Sequence, residues 1–110
     1  MVIIFSKKEI DKIQNVNFHD AKISKIISDY DEGTVEMPII MDDTHQYAAL
    51  LKFENVAYVE VNRKEPWGPG CYIFTLNVDD DEGDYFKVSI LLNSGDKVII
   101  IAAKMVYSFS

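Results

Sequence analysis

The sequence predicts a mostly β domain: a short N-terminal helix, then six or seven antiparallel strands forming a curled sheet or a two-layer sandwich. Three observations predict it. Apolar side chains recur with period two from residue 34 onward. Glycine-bearing turn clusters separate these stretches. A helix start signal stands near the N-terminus and nowhere else as clearly.

The helix comes first. Ser6 is followed three residues later by Glu9, the capping-box spacing in which each residue satisfies the other's backbone N–H. Phe5 and Ile10 occupy the two hydrophobic-staple positions around it. Ile10 and Ile13 fall on one face, and Lys7, Lys8, Asp11 and Lys12 lie largely around the other. This predicts a helix over about 7–15.

The period then changes. Val35, Met37, Ile39 and Met41 alternate with Glu36, Pro38 and Ile40. Tyr47, Ala49, Leu51 and Phe53 form a second apolar face, Tyr72, Phe74, Leu76 and Val78 a third, and Phe86, Val88, Ile90 and Leu92 a fourth. Val98 to Ile101 is apolar on both faces, which places it centrally. Pro38 has no N–H for a ladder, so its strand is expected at an edge or bulged there. Ile23, Ile26, Ile27 and Tyr30 fit either a helix face or a bulged strand; no start signal precedes them, which favours strand. Asp31-Glu32-Gly33, Asp80 to Asp84 and Asn93-Ser94-Gly95-Asp96 read as turns. Residues 71–92 thus form one hairpin and 86–103 a second, sharing a strand.

Composition narrows the function classes. A chain of 110 residues with 48% hydrophobic content makes a single domain, 1–110, with a core of its own. One cysteine, Cys71, permits no internal disulfide and fits a reducing, cytoplasmic setting. The apolar start, Met1 to Phe5, is shorter than a signal peptide's apolar region, and no run approaches a membrane span. A net charge of −7 leaves no basic footprint for nucleic acid. The acidity suits solubility, and it could also steer a basic partner.

Candidate sites follow from the chemistry-bearing residues. His19 and Asp20 are adjacent, and with His45, beside Asp42 and Asp43, they offer a polar site for a ligand, a metal or general base catalysis. Against it, adjacent strand residues would diverge, and no metal-ligand spacing such as His-x-x-x-His is present. No metal or cofactor is therefore expected. The plainer reading packs Phe18, with His19 or Asp20 bonding the turn that ends the helix, and leaves His45 on an exposed turn. Asp79 to Asp84 fails the calcium-loop template, since Gly83 at its sixth position would put Val78 first and Ser89 twelfth. Cys71 opens an apolar strand and reads as a buried, inert thiol.

Pro66-Trp67-Gly68-Pro69-Gly70 fixes the backbone around the only tryptophan. Trp67 either anchors a partner or folds back over the core. The partner-facing candidates are Trp67, Gly68, Arg63 and Glu65, together with Asp79, Asp80 and Asp81 of the acidic turn. The alternatives are a ligand-binding protein or enzyme using His19, Asp20 and His45, or a structural homo-oligomer joined through an edge strand or the apolar Met105 to Phe109 segment.

Three segments in this order, Phe18-His19-Asp20-Ala21-x-Ile23-x-x-Ile26, Pro66-Trp67-Gly68-Pro69-x-x-Tyr72-Ile73 and Ser94-Gly95-Asp96-x-Val98-x-Ile100-x-Ala102, resemble a group of small uncharacterised bacterial proteins. Some of that group are similar to immunity proteins of contact-dependent and polymorphic toxin systems. The resemblance covers roughly 16–106. It implies a bacterial, cytoplasmic, non-enzymatic protein that, if immunity-like, acts by binding; with the acidic balance, the expected partner is a cognate toxin-like protein with a basic surface. It transfers no catalytic residue.

Overall fold

The computed structural model describes residues 1–42, 44–64 and 71–110. Its elements are β1 (Val2–Phe5), a 3-10 turn (Lys7–Glu9) running into α1 (Ile10–Gln14), β2 (Lys22–Ile23), β3 (Ile27–Asp29), β4 (Thr34–Asp42), β5 (Gln46–Val61), β6 (Ile73–Asp80), β7 (Phe86–Leu92) and β8 (Lys97–Phe109). The capping box forms: the Glu9 carboxylate accepts the Ser6 N–H at 3.1 Å and its hydroxyl at 3.0 Å. The helical segment ends at Gln14, one residue short of expectation.

All pairings are antiparallel, and the strand order is β2-β4-β5-β8-β7-β6. β1 and β3 add on to β8 and β4. This is one curled sheet of eight strands among the described residues, not a two-layer sandwich, and it has more strands than the sequence predicts. The surplus is at the N-terminus, where Met1 to Phe5 is a strand ahead of the helix. β1 was missed because four residues are too few to display a period.

The two ends of the curled sheet meet. Lys22 bridges Tyr72, the Ile23 N–H donates to the Cys71 carbonyl at 3.0 Å, and the Ile73 N–H donates to Ala21 at 2.8 Å. The concave side holds the core: Val35, Met37, Leu51, Phe53, Val88, Ile100 and Met105 are fully buried. Ile13 of α1 and Phe18 fill the same interior. Exclusion of this much apolar surface from water is the main stabilising term.

Two irregularities curl the strands. Phe53 pairs with Met105 and Val56 with Ala102, yet all four side chains pack on the core side. The period of two therefore breaks in both strands at one place, where Asn55 takes φ 54 and the register shifts between Val56 and Tyr58. The second bulge, between Ile73 and Thr75 of β6, overturns an expectation. Ile73 is fully buried and Phe74 is 53% exposed, the reverse of the predicted face.

β8 is central, with β5 along one side and β7 then β1 along the other. Met105 to Phe109 is thus paired on both sides, so the expected route to a homo-oligomer through that segment is closed. β4 is also interior, contrary to a simple edge placement. Its outer partner breaks between β2 and β3 opposite Pro38, whose carbonyl takes the Ser24 N–H at 3.0 Å. The missing donor of Pro38 faces that break.

Gly95 turns β7 into β8 with φ 98, and a Cβ there would meet open space. Its role is conformational alone. Gly95→Ala is expected to lower the unfolding free energy by about 1–2 kcal/mol, read from chemical denaturation.

Candidate functional site

α1 stops at Gln14, and the chain from Asn15 to His19 runs beside β6. Between them lies an open groove of about 430 Å³, lined by Gln14 to His19 and Phe74 to Asn77. His19 stands at its wall. Its Nδ1 donates to the Phe74 carbonyl at 2.8 Å, which fixes the proton on that nitrogen. Its ring meets Phe74 edge-on at 5.9 Å. The bulge that turns Phe74 outward therefore creates both contacts.

His19 and Asp20 do not diverge as adjacent strand residues would. They sit in a turn, and Asp20 adopts φ 67, which leaves its Oδ1 3.6 Å from His19 Nε2. The Asp20 N–H donates to the Ile73 carbonyl at 2.8 Å, so the strain at Asp20 secures the closure of the sheet. His19 reaches β6 rather than the helix end, while Phe18 packs inward as expected.

His45 keeps other partners. In the β4–β5 turn its Nδ1 lies 3.2 Å from Thr44 Oγ1 and its ring 5.7 Å from Tyr47. A row of rings extends from there: the Tyr47 and Tyr107 hydroxyls are 3.2 Å apart, and Tyr107 meets Phe18 edge-on at 5.3 Å. The structure thus joins His19 to Asp20 and leaves His45 at the far end of an aromatic row. Among the described residues no three His, Cys, Asp or Glu side chains group as metal ligands. His19→Ala is expected to cost about 0.5–1.5 kcal/mol in thermal unfolding, the worth of its one strong hydrogen bond.

The acidic turn is a built feature. β6 and β7 carry Asp79 and Asp80 to the hairpin tip, and Asp79, Asp80, Glu82 and Asp84 are exposed there. Lys7, from the 3-10 turn, threads its ammonium into the loop. It donates to the Asp81 carbonyl and to the Gly83 carbonyl at 2.6 Å, and it pairs with Asp80 at 3.3 Å. Two of these contacts are to main chain, so the lysine holds the loop's shape, and its one positive charge, paired with Asp80, leaves the tip negative. Among the described residues no cation lies within ion-pair distance of Asp79, Glu82 or Asp84. Lys7 is the residue of this loop's structure that sequence reasoning passes over. It read only as part of a solvated helix face.

Arg63 does not join this surface. It is exposed just beyond β5, where the Asn62 N–H donates to Lys97 and the Lys64 N–H donates to the buried Asp96 carboxylate at 2.9 Å. That is the β7–β8 end of the sheet, and the acidic tip is at the other end of β7, about 20 Å along a seven-residue strand. Arg63 is therefore separated from the acidic tip. Glu65, Trp67 and Gly68, like Asp43, lie outside the described residues. Cys71 is half-buried, and its carbonyl serves the sheet closure.

Tyr58 and Glu60 form a surface pair on β5, the hydroxyl donating to the carboxylate at 2.6 Å. That hydrogen bond and the Glu60 charge raise the Tyr58 pKa above its ordinary value of 10.0. An alkaline titration of tyrosinate absorbance should lose a late component in Tyr58→Phe.

No family model matches the chain, and no curated protein matches it. Among solved structures it is similar to an uncharacterised protein from Neisseria gonorrhoeae, with a TM-score of 0.61 at 13% identity, over 98% of this chain and 97% of that one. An identity this low shows a shared fold alone. No helix among the described residues is long and apolar enough to cross a membrane.

Proposed function

We propose that the chain is a non-catalytic protein-binding module of immunity type, and that the β6–β7 tip is its docking surface for a basic partner. The observation that carries this reading is the bracing of the acidic loop by Lys7. A loop already held in one shape loses little conformational entropy on binding. Its unpaired carboxylates raise the rate of encounter with a positive surface and select against acidic ones. The resemblance of the sequence to small bacterial proteins, some of them similar to toxin-system immunity proteins, suggests the partner class, a toxin whose basic active-site surface the module would cover.

The test is co-expression with the protein encoded by the adjacent gene, followed by affinity measurement on the purified pair. The triple variant Asp79→Lys, Glu82→Lys, Asp84→Lys is expected to weaken binding by about tenfold or more, by analogy with charge reversal at steered interfaces. Lys7→Ala is expected to weaken it less, through loosening of the loop. No complex with the adjacent product, or a triple variant that binds like the wild type, would overturn the proposal.

A further inference from the structure

β6 is the last strand of the sheet on its side, and its outer edge is closed in two different ways. At its start the main chain does it: Ile73 exchanges hydrogen bonds with Asp20 and Ala21. Past the bulge at Phe74 no strand among the described residues lies alongside, and side chains take over. His19 Nδ1 donates to the Phe74 carbonyl at 2.8 Å. Gln14 Nε2 donates to the Leu76 carbonyl at 3.0 Å, and Gln14 Oε1 accepts the Val78 N–H at 2.9 Å. Leu76 and Val78 are the alternate residues whose main-chain groups point away from β7.

A neighbouring strand would present one donor and one acceptor at this place. The primary amide of Gln14 presents the same pair, because it is the side-chain form of the peptide group. A free edge of this length is a template for pairing with another chain. We infer that Gln14 acts as a surrogate strand that guards the β6 edge, and that the occupant it excludes is a second copy of this chain. Antiparallel pairing of β6 with its own copy about a two-fold axis satisfies the Leu76 and Val78 groups in both copies once the end of α1 and residues 15–19, which lie along this edge, give way. The guard is placed by α1, whose last residue is Gln14, so the helix has a use beyond covering the core. This device is separate from the acidic tip and stands without it.

Sedimentation velocity over a concentration series tests the inference, with amide exchange at Val78 read on the same samples. The wild type is expected to stay monomeric with Val78 protected. Gln14→Ala is expected to expose the Val78 amide at low concentration, then to approach twice the monomer mass and regain protection as concentration rises. Gln14→Glu keeps the length and the acceptor for Val78 but turns a carboxylate toward the Leu76 carbonyl. It is expected to associate more than wild type and less than Gln14→Ala, and it carries the test if the alanine variant does not fold. Variants that remain monomeric throughout, or a dimer in which Val78 stays open to exchange, would overturn the inference.

Discussion

Phe53→Ala is expected to lower the unfolding free energy by about 3–5 kcal/mol, a large share of the roughly 5–15 kcal/mol that holds a domain of this size. Phe53 is fully buried and lies between Val35 of β4 and Met105 of β8, both also fully buried. It is the last fully buried residue of β5 before the bend at Asn55. The strands change phase just beyond it, so neighbouring side chains cannot slide in to fill the space. The cost should fall in the upper part of the range, because a cavity that cannot collapse loses packing as well as transfer free energy. Denaturant unfolding followed by tryptophan fluorescence or circular dichroism gives the value directly.

Val106→Pro should cost at least about 3 kcal/mol, the order expected for proline inside a regular element. Val106 is in β8 between Lys52 of β5 and Ile4 of β1, so each side of its backbone faces a strand. The native Pro38 makes the contrast. It is accommodated because its missing N–H faces the break between β2 and β3. The same residue type is thus tolerated in one interior strand and excluded from another, according to what lies on the side of the absent donor. If Val106→Pro unfolded no more readily than Ile4→Pro in β1, the central place of β8 would be refuted.

Much of this fold is legible in the sequence where local chemistry decides it. The Ser6–Glu9 box, the glycine turns and the apolar alternation of β4 and β7 all depend on neighbours within a few residues. What escapes is set at a distance. The bulge that turns Phe74 out and Ile73 in leaves no compositional mark, so the alternation assigns the wrong face at Phe74, while Leu76 and Val78 keep the expected one. The approach of Asp20 to His19 depends on a positive φ at Asp20 that no local signal announces. Lys7 and Gln14 look like ordinary residues of a polar helix face, and their roles exist only because the helix lands beside β6. The acidic turn was legible as exposed charge, but its bracing was not.

If the acidic tip docks a basic partner as proposed, its effect is on rate as well as affinity. A partner drawn in by unpaired carboxylates should associate faster at low salt, because screening shortens the reach of the attraction. The most direct test is the association rate of this chain with the adjacent gene's product, measured by stopped flow against ionic strength for the wild type and the Asp79→Lys, Glu82→Lys, Asp84→Lys variant. A steep fall of the wild-type rate with salt, flattened in the variant, is the predicted result. A wild-type rate indifferent to salt and matched by the variant would contradict the acidic tip as the docking surface.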